Sequence, residues 1–146
     1  MISTSENQTF EIAKVLVDQA HDDIGHRAII FAISGPLGAG KTRLVKGLAA
    51  ALGIADNIVS PTYVLETEYR IPNTNSKFVH LDAYRLETVE ELSRLGLENR
   101  VKSKCVIALE WADKFPHFLD QFGGAARIFN TKMSPGKSEN EREINW

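Results

Sequence analysis

The stretch Gly35-Pro36-Leu37-Gly38-Ala39-Gly40-Lys41-Thr42 holds the most informative pattern in this chain. It matches G-x-x-x-x-G-K-[ST] at every fixed position, and that pattern describes a loop whose backbone N–H groups surround the phosphates of a nucleotide. Gly35 and Gly40 permit backbone conformations and close approaches that a side chain would block. We expect a bound ATP to contact Gly35, Leu37, Gly38, Ala39, Gly40, Lys41 and Thr42.

The residues on either side of this loop have the patterns of a strand and a helix. Residues 28–33 form an apolar run of strand length, and residues 44–52 carry apolar side chains at helical spacing. Gly53 stands where a helix commonly stops. Because a phosphate-binding loop of this kind lies between a strand and a helix, the context favours it over an accidental glycine-rich turn.

The composition is that of an ordinary globular protein. The chain has 146 residues, of which 43% are apolar and 25% are charged, and this length suits one domain that spans residues 1–146. No segment approaches the roughly 18 apolar residues that a membrane span needs. Residues 1–8 lack the basic and apolar regions of a secretory signal, so we expect a cytoplasmic protein without a membrane partner.

Charge, cysteine and histidine usage argue against several kinds of site. A net charge of −2 with scattered Lys and Arg residues argues against direct binding of DNA or RNA, but not against work beside an RNA-binding partner. The single cysteine, Cys105, is predicted to be a small buried strand residue. The histidines have no metal-site spacing, and we expect all four to be structural: His21, His26, His80 and His117.

The rest of the chain is predicted to alternate between helices and strands. A helix beginning near Ser5 and ending near Gln19 is expected to cover one sheet face. Two extended segments form a hairpin, and a later helix, a buried strand and two final strands follow. In order, the predicted ranges are 63–69 and 77–81 for the hairpin, 87–97 for the helix, and 106–109, 126–132 and 142–146 for the strands.

A lysine, a hydroxyl and two acids supply the groups that magnesium-dependent phosphoryl chemistry requires. Lys41 is expected to neutralise the outer phosphates, and Thr42 to bind Mg²⁺. Asp82 and Glu110 each end an apolar, strand-like run. Either acid could bind Mg²⁺ directly or through water while the other orients the attacking water, and the alternative for each is a strand end that faces solvent.

Two further residues have both a functional and a structural interpretation. Thr62, in Ser60-Pro61-Thr62, lies where a loop could contact the γ-phosphate and distinguish ATP from ADP, but a plain turn suits the same residues. Trp111 follows Glu110 directly, and a large aromatic residue beside a site is more often there for packing than for chemistry.

Four motifs, in this order and spacing, resemble those of the bacterial TsaE family, the small ATPase of tRNA threonylcarbamoyladenosine biosynthesis. The resemblance covers the chain from the first predicted helix to Trp111. The motifs are the phosphate loop of residues 35–42, Ser60-Pro61-Thr62-Tyr63, His80-Leu81-Asp82-Ala83-Tyr84-Arg85-Leu86, and Leu109-Glu110-Trp111.

The resemblance implies an α/β fold of the P-loop NTPase type, with a three-layer arrangement, helices on both sheet faces and a β-hairpin after the first P-loop helix. It implies Mg²⁺ and ATP, and a slow ATPase in the cytoplasm. The implied partners are the threonylcarbamoyl-transferase subunit and its paralogous partner subunit, with tRNA contacted only through them. By likeness, Thr42 and Glu110 fall on the magnesium positions, and Thr62, Asp82 and Trp111 on positions used for activity.

Two places depart from the family pattern. Pro36 stands where the family usually has aspartate, which removes one loop N–H and one negative charge. Near the C-terminus only Glu141-Arg142-Glu143-Ile144 is similar to the family, whose arginine there precedes a final strand, and this likeness predicts a nucleotide contact for Arg142.

Two other functions are compatible with a phosphate loop. A small-molecule kinase would need an acceptor site and usually a mobile lid with arginine residues, and the chain has no insertion of lid length. A non-catalytic switch would use ATP only to order the loop around Thr62. We prefer ATP hydrolysis that resets a partner complex, because the sequence shows a complete phosphate site without an evident acceptor pocket.

Overall fold

The phosphate loop joins the end of a central strand to the start of a helix, as the flanking sequence predicts. The computed structural model describes residues 1–60 and 65–146. The strand before the loop is Ala28–Ser34 and the helix after it is Lys41–Ala51. Gly53 follows this helix with a φ of 80°, a left-handed conformation that suits a glycine at a helix end.

Seven strands form one mixed sheet. They are β1 (Ile2–Ser3), β2 (Ala28–Ser34), β3 (Glu66–Arg70), β4 (Lys77–Asp82), β5 (Val106–Glu110), β6 (Ala126–Pro135) and β7 (Arg142–Asn145). In sheet order they run β1-β7-β6-β2-β5-β4-β3. The central strands β6, β2, β5 and β4 are parallel, and antiparallel strands add to both edges.

Helices cover both faces of this sheet, which confirms the predicted α/β, three-layer arrangement. On one face α1 (Glu6–Ala20) and α2 (Lys41–Ala51) pack over a core that includes Leu16 and Leu48. On the other face lie α3 (Val89–Ser93), α4 (Leu97–Lys102) and 3₁₀ turns at Ala112–Lys114 and Phe118–Phe122. A further 3₁₀ turn, His21–Asp23, follows α1.

Alternation along β2 shows how one strand serves both cores. Ile29, Phe31 and Ile33 point to the α1/α2 side, while Ile30 and its even-numbered neighbours point to the other side. This continuous apolar run is typical of a parallel strand that is buried on both faces. Because β2, β5 and β4 run in the same direction, their carboxyl ends meet at the edge where the phosphate loop begins.

The structure corrects several element boundaries. The helix predicted over 87–97 is confirmed in part: α3 lies within this range and ends before Gly96, whose φ of 72° separates it from α4, a second helix that was not predicted. A capping box at Thr88 and Glu91 starts the first of these two helices. Strand β6 extends beyond the predicted end at residue 132, and the two-residue strand β1 was not predicted, since so short a segment has no periodicity to detect.

The predicted hairpin is confirmed, with β3 and β4 as its two antiparallel strands, although the predicted start of its first strand, at residues 63–64, lies outside the described residues. Cys105 is buried as expected, but it lies one residue before β5 rather than inside a strand. Burial raises the pKa of its thiol. Among the described residues, no helix combines the length and the apolar character that crossing a membrane requires.

Candidate active site

The phosphate loop is packed so tightly against β6 that its first glycine has no room for a side chain. Gly35 has a φ of 142°, and a Cβ added there would lie 2.3 Å from the carbonyl oxygen of Met133. Gly40, at the N-cap of α2, has a left-handed φ of 94°. Both glycines of the loop pattern therefore have a structural reason. At Gly35 a side chain would clash with β6, and both residues adopt backbone conformations that favour glycine.

Lys41 is folded over the loop, with only 5% of its surface exposed. Its Nζ donates to the carbonyl oxygens of Gly35 at 2.8 Å and Pro36 at 2.9 Å. The same Nζ lies 3.6 Å from the centroid of the Trp111 ring, a cation–π contact. Burial lowers the pKa of Lys41, against the opposing effect of Glu110 and other nearby acids. A negatively charged ligand would relieve this unfavourable burial.

Thr42 and Glu110 meet at the start of α2 and the end of β5. The Thr42 hydroxyl lies 2.9 Å from Oε1 and 3.1 Å from Oε2 of Glu110, to which it donates. Glu110 is the last residue of β5 and is 3% exposed. A hydroxyl and a carboxylate beside a phosphate loop are oxygen ligands of the kind that Mg²⁺ prefers, so the two residues fit a magnesium ion that also binds nucleotide phosphates.

Asp82 lies beside Glu110 at the same edge of the sheet. The two acids are direct partners in the register of the parallel strands β4 and β5. Asp82 is 4% exposed, and its Oδ1 accepts a hydrogen bond from the backbone N–H of Tyr84 at 2.9 Å. The Thr42 hydroxyl donates to the carboxylate of Glu110, and the roles of the two acids stay predictions.

His80 is a site residue that the sequence interpretation missed. It is fully buried, and its Nε2 lies 2.7 Å from Oε1 of Glu110. One pattern could have revealed it: His80 and Asp82 are two residues apart on a strand, so their side chains share a face. The other three histidines, His21, His26 and His117, are exposed.

Trp111 adopts a left-handed backbone conformation with a φ of 60°, which is uncommon for a bulky residue. Its ring packs against Tyr84 with the centroids 5.0 Å apart, in addition to its contact with Lys41. Trp111 and Tyr84 are part of the lining of a cavity of about 380 Å³ that also includes Lys41, Thr42 and Glu110. The packing role expected for Trp111 is thus combined with direct contact to the phosphate-loop lysine.

A second cavity, of about 500 Å³, opens on the other side of the loop. Its lining includes Gly38, Gly40, Arg43 and Arg142. Arg142, at the start of β7, donates from Nη2 to the Gly38 carbonyl at 3.4 Å and from Nη1 to two neighbouring carbonyls. The structure thus brings Arg142 to the phosphate loop, 104 residues apart in sequence.

The remaining predicted site residues are placed as follows. Leu37 is 77% exposed at the tip of the loop, and Ala39 is buried beneath it. Thr62 lies outside the described residues. Ser60, the last described residue before it, lines the same cavity as Lys41 and Glu110.

A family model described as threonylcarbamoyl adenosine biosynthesis protein TsaE matches residues 3–144. Three proteins named tRNA threonylcarbamoyladenosine biosynthesis protein TsaE are similar to the chain. The Haemophilus influenzae protein is 38% identical over 88 residues, which make up 60% of this chain and 54% of that protein. The Nostoc sp. protein is 43% identical over 95 residues, covering 60% and 55%. The Mycobacterium leprae protein is 32% identical over 125 residues, covering 80% and 73%.

The chain spans little more than half the length of the first two of these relatives. A solved structure, that of Bacillus subtilis YdiB, is similar with a TM-score of 0.63 at 24% identity, covering 99% of this chain and 80% of that one. At that identity the likeness concerns the fold alone.

Proposed function

The chain belongs to the TsaE family of threonylcarbamoyl adenosine biosynthesis proteins, and from this premise we propose that it is a Mg²⁺-dependent protein that binds ATP and hydrolyses it slowly. In this proposal it supports turnover of the machinery that makes threonylcarbamoyladenosine at position 37 of tRNA. The observation that carries the proposal is the hydrogen bond between Thr42 and Glu110 beside the phosphate-loop lysine.

Binding of the phosphates uses the loop and the first turn of α2. The backbone N–H groups at the start of a helix carry a partial positive charge that favours an anion. Lys41 exchanges its contacts with the carbonyls of Gly35 and Pro36 for phosphate oxygens. The exchange is favourable because a buried ammonium gains more from an anionic partner than from neutral carbonyls. Arg142 and Arg43 lie in the lining of the second cavity, together with Glu6 and Glu139.

Thr42 and Glu110 would hold the magnesium ion that accompanies ATP, together with phosphate oxygens and water. When bound, this ion supplies positive charge that offsets the charge of the phosphates. Asp82, next to Glu110 in the sheet register, is proposed to accept a hydrogen bond from the attacking water and so to orient it. Thr62 remains a candidate for contact with the γ-phosphate.

The rate is expected to be low for the isolated protein. In related NTPases an arginine supplied by a partner raises kcat by about 10³ to 10⁵. We therefore propose activation by the threonylcarbamoyl-transferase subunit and its paralogous partner subunit, with tRNA contacted only through them. A cytoplasmic location, without a DNA or membrane partner, stays part of the proposal.

The test is phosphate release from ATP by the purified protein, with Mg²⁺ or with EDTA, alone and with the transferase heterodimer. We expect slow release that needs Mg²⁺ and rises with the heterodimer. Glu110→Ala is expected to lower it at least about 10²-fold, and Glu98→Ala, at an exposed position of α4, to leave it unchanged.

Two results would replace the proposal with another function. Transfer of phosphate to a metabolite without hydrolysis under any of these conditions would indicate a small-molecule kinase. If Glu110→Ala and Asp82→Ala both bind ATP and support repeated rounds of tRNA modification as well as the parent protein, the nucleotide acts only as a switch.

A further inference from the structure

His80 is a fully buried polar residue whose two ring nitrogens have different surroundings. Nε2 lies 2.7 Å from Oε1 of Glu110. Nδ1 is buried and has no hydrogen-bond partner among the described residues. A buried polar atom without a partner lowers stability, so a histidine kept here for structure alone would be a poor choice. The hydrogen bond between Nε2 and Glu110 is therefore the interaction that could explain a histidine at this position.

The direction of the hydrogen bond follows from the chemistry of the two groups. A carboxylate that binds a metal ion is ionised and can only accept, so with Glu110 in that role the proton between the two groups belongs to Nε2 of His80. Oε1 of Glu110 then receives two donors, Nε2 of His80 and the hydroxyl of Thr42 at 2.9 Å. Among the described residues Oε2 accepts a hydrogen bond only from Thr42, at 3.1 Å. His80 thus distinguishes the two oxygens of the carboxylate.

The sheet register explains how His80 reaches Glu110. His80 pairs with Ala108 of β5, and Glu110 lies two residues further along that strand on the same face. Diagonal neighbours of this kind are within reach of long side chains. The small side chain of Ala108 leaves space for the imidazole to extend towards the carboxylate. On its other side, β4 pairs with β3, so the backbone of His80 is held between two strands.

We propose that His80 is a positioning residue for the magnesium site. Its Nε2–H holds Oε1 of Glu110 and thereby turns the carboxylate towards Thr42 and the ion that accompanies the nucleotide. This inference rests on the proposed function, because it assigns His80 to the same site. Outer-shell partners of metal-binding carboxylates typically affect metal affinity by about 10- to 100-fold when they are replaced.

The test separates binding of the nucleotide from binding of its metal ion. The Kd of ADP and of a non-hydrolysable ATP analogue is measured by calorimetry, in Mg²⁺ and in EDTA. His80→Leu is expected to reduce the gain in affinity due to Mg²⁺ by about 10-fold, with the Kd in EDTA unchanged. His80→Gln, whose amide nitrogen can take the place of Nε2, should recover most of the gain, whereas the shorter His80→Asn should not.

A matched control and a measurement on the parent protein complete the test. His26→Leu, at an exposed histidine, should leave both Kd values unchanged. In the parent protein, nitrogen NMR of the imidazole should show a proton on Nε2 of His80, with a signal that moves on addition of Mg²⁺ to the ADP complex. This measurement does not depend on whether a variant folds.

Different results would contradict the role of His80 and the proposed function. Equal Mg²⁺ gains for the parent protein, His80→Leu and His80→Asn would overturn the role of His80, as would an Nε2 without a proton. If the parent protein binds no nucleotide in either condition, the proposed function itself fails, and the NMR result still decides whether His80 donates to Glu110.

Discussion

Lys41 carries its charge in a place where protein atoms, rather than water, surround it. With 5% of its surface exposed, its ammonium is held by two loop carbonyls and the face of Trp111. These neutral partners only partly replace the lost hydration, and burial accordingly lowers the pKa of Lys41. In the nucleotide-free protein the buried charge of Lys41 therefore lowers the free energy of unfolding, and a bound phosphate group would remove this effect.

Lys41→Met is expected to raise the Tm of the nucleotide-free protein near neutral pH, because it removes a buried charge. The pKa of Lys41 in the folded state lies below its value of 10.5 when unperturbed. Between the two values the unfolded state binds more protons, so the parent protein gains stability as the pH rises. The Tm of the parent protein should therefore lie further below the Tm of Lys41→Met at about pH 7 than at about pH 10, as measured by thermal unfolding.

The same variant should lose the stabilisation by ligand. At an Mg²⁺-ATP concentration 100 times the Kd of the parent protein, the ligand is expected to stabilise the parent protein by about 2.7 kcal/mol. At the same concentration it should stabilise Lys41→Met by much less. Lys14→Met, at an exposed position of α1, is the control and should behave as the parent protein does in both measurements. A lower Tm for Lys41→Met at both pH values would contradict the unfavourable burial of the charge.

At the scale of elements, α1 approaches α2 closely at Gly47. A Cβ added at Gly47 would lie 2.8 Å from Cβ of Ala13 and 3.2 Å from Cα of Phe10. Cβ atoms are essentially never found closer than 3.0 Å to another heavy atom. The absence of a side chain thus sets the distance between α1 and the helix that begins with Lys41 and Thr42.

Gly47→Ala is expected to lower the free energy of unfolding by about 1–3 kcal/mol, because the helices must move apart. Helix propensity opposes this, since alanine is favoured over glycine by about 1 kcal/mol. Gly124→Ala is the matched control, with open space around the added Cβ, and should change stability by no more than about 0.5 kcal/mol. Urea denaturation gives both values, and stabilisation by Gly47→Ala would show that the contact adjusts without strain.

At the scale of the whole molecule, two apolar cores share one sheet. Strand β2 contributes Phe31 to the core under α1 and α2, and Ile30 to the core under α3 and α4. Loss of packing in one core would expose one face of strands whose other face belongs to the second core. The single domain over residues 1–146 stays a prediction, and the shared sheet leads to a prediction about cooperativity.

Two tryptophans allow the prediction to be tested. Trp111 lies beside the phosphate loop, and Trp146, near the C-terminus, donates to Gln19 of α1 at 3.0 Å. In Trp146→Phe and Trp111→Phe proteins the remaining tryptophan reports on a different region. We expect the fluorescence and circular dichroism transitions of each protein to coincide in urea, as for a two-state domain. Separate midpoints within one protein would indicate two independently unfolding parts.

Local patterns in the sequence were sufficient for the strand, loop and helix around Lys41, for the hairpin, and for the order of motifs that identifies the TsaE family. Each depends on residues close together in the chain, such as the two glycines that set the loop conformation. Within the range 87–97 the sequence also predicted α3, but it missed α4, because a helix of six residues has too short an apolar period to detect.

Only the tertiary structure could show that Glu110 accepts a hydrogen bond from Thr42, that Arg142 lies at Gly38, and that His80 lies beside Glu110. These contacts join strands and loops that are distant in sequence. They depend on which strands become neighbours and in which register, and no local pattern contains that information. The sequence by itself determined that a phosphate loop follows a buried strand; the register of β4 and β5 placed Asp82 beside Glu110 and His80 diagonal to it, because a shift of one residue would turn these side chains to the opposite face.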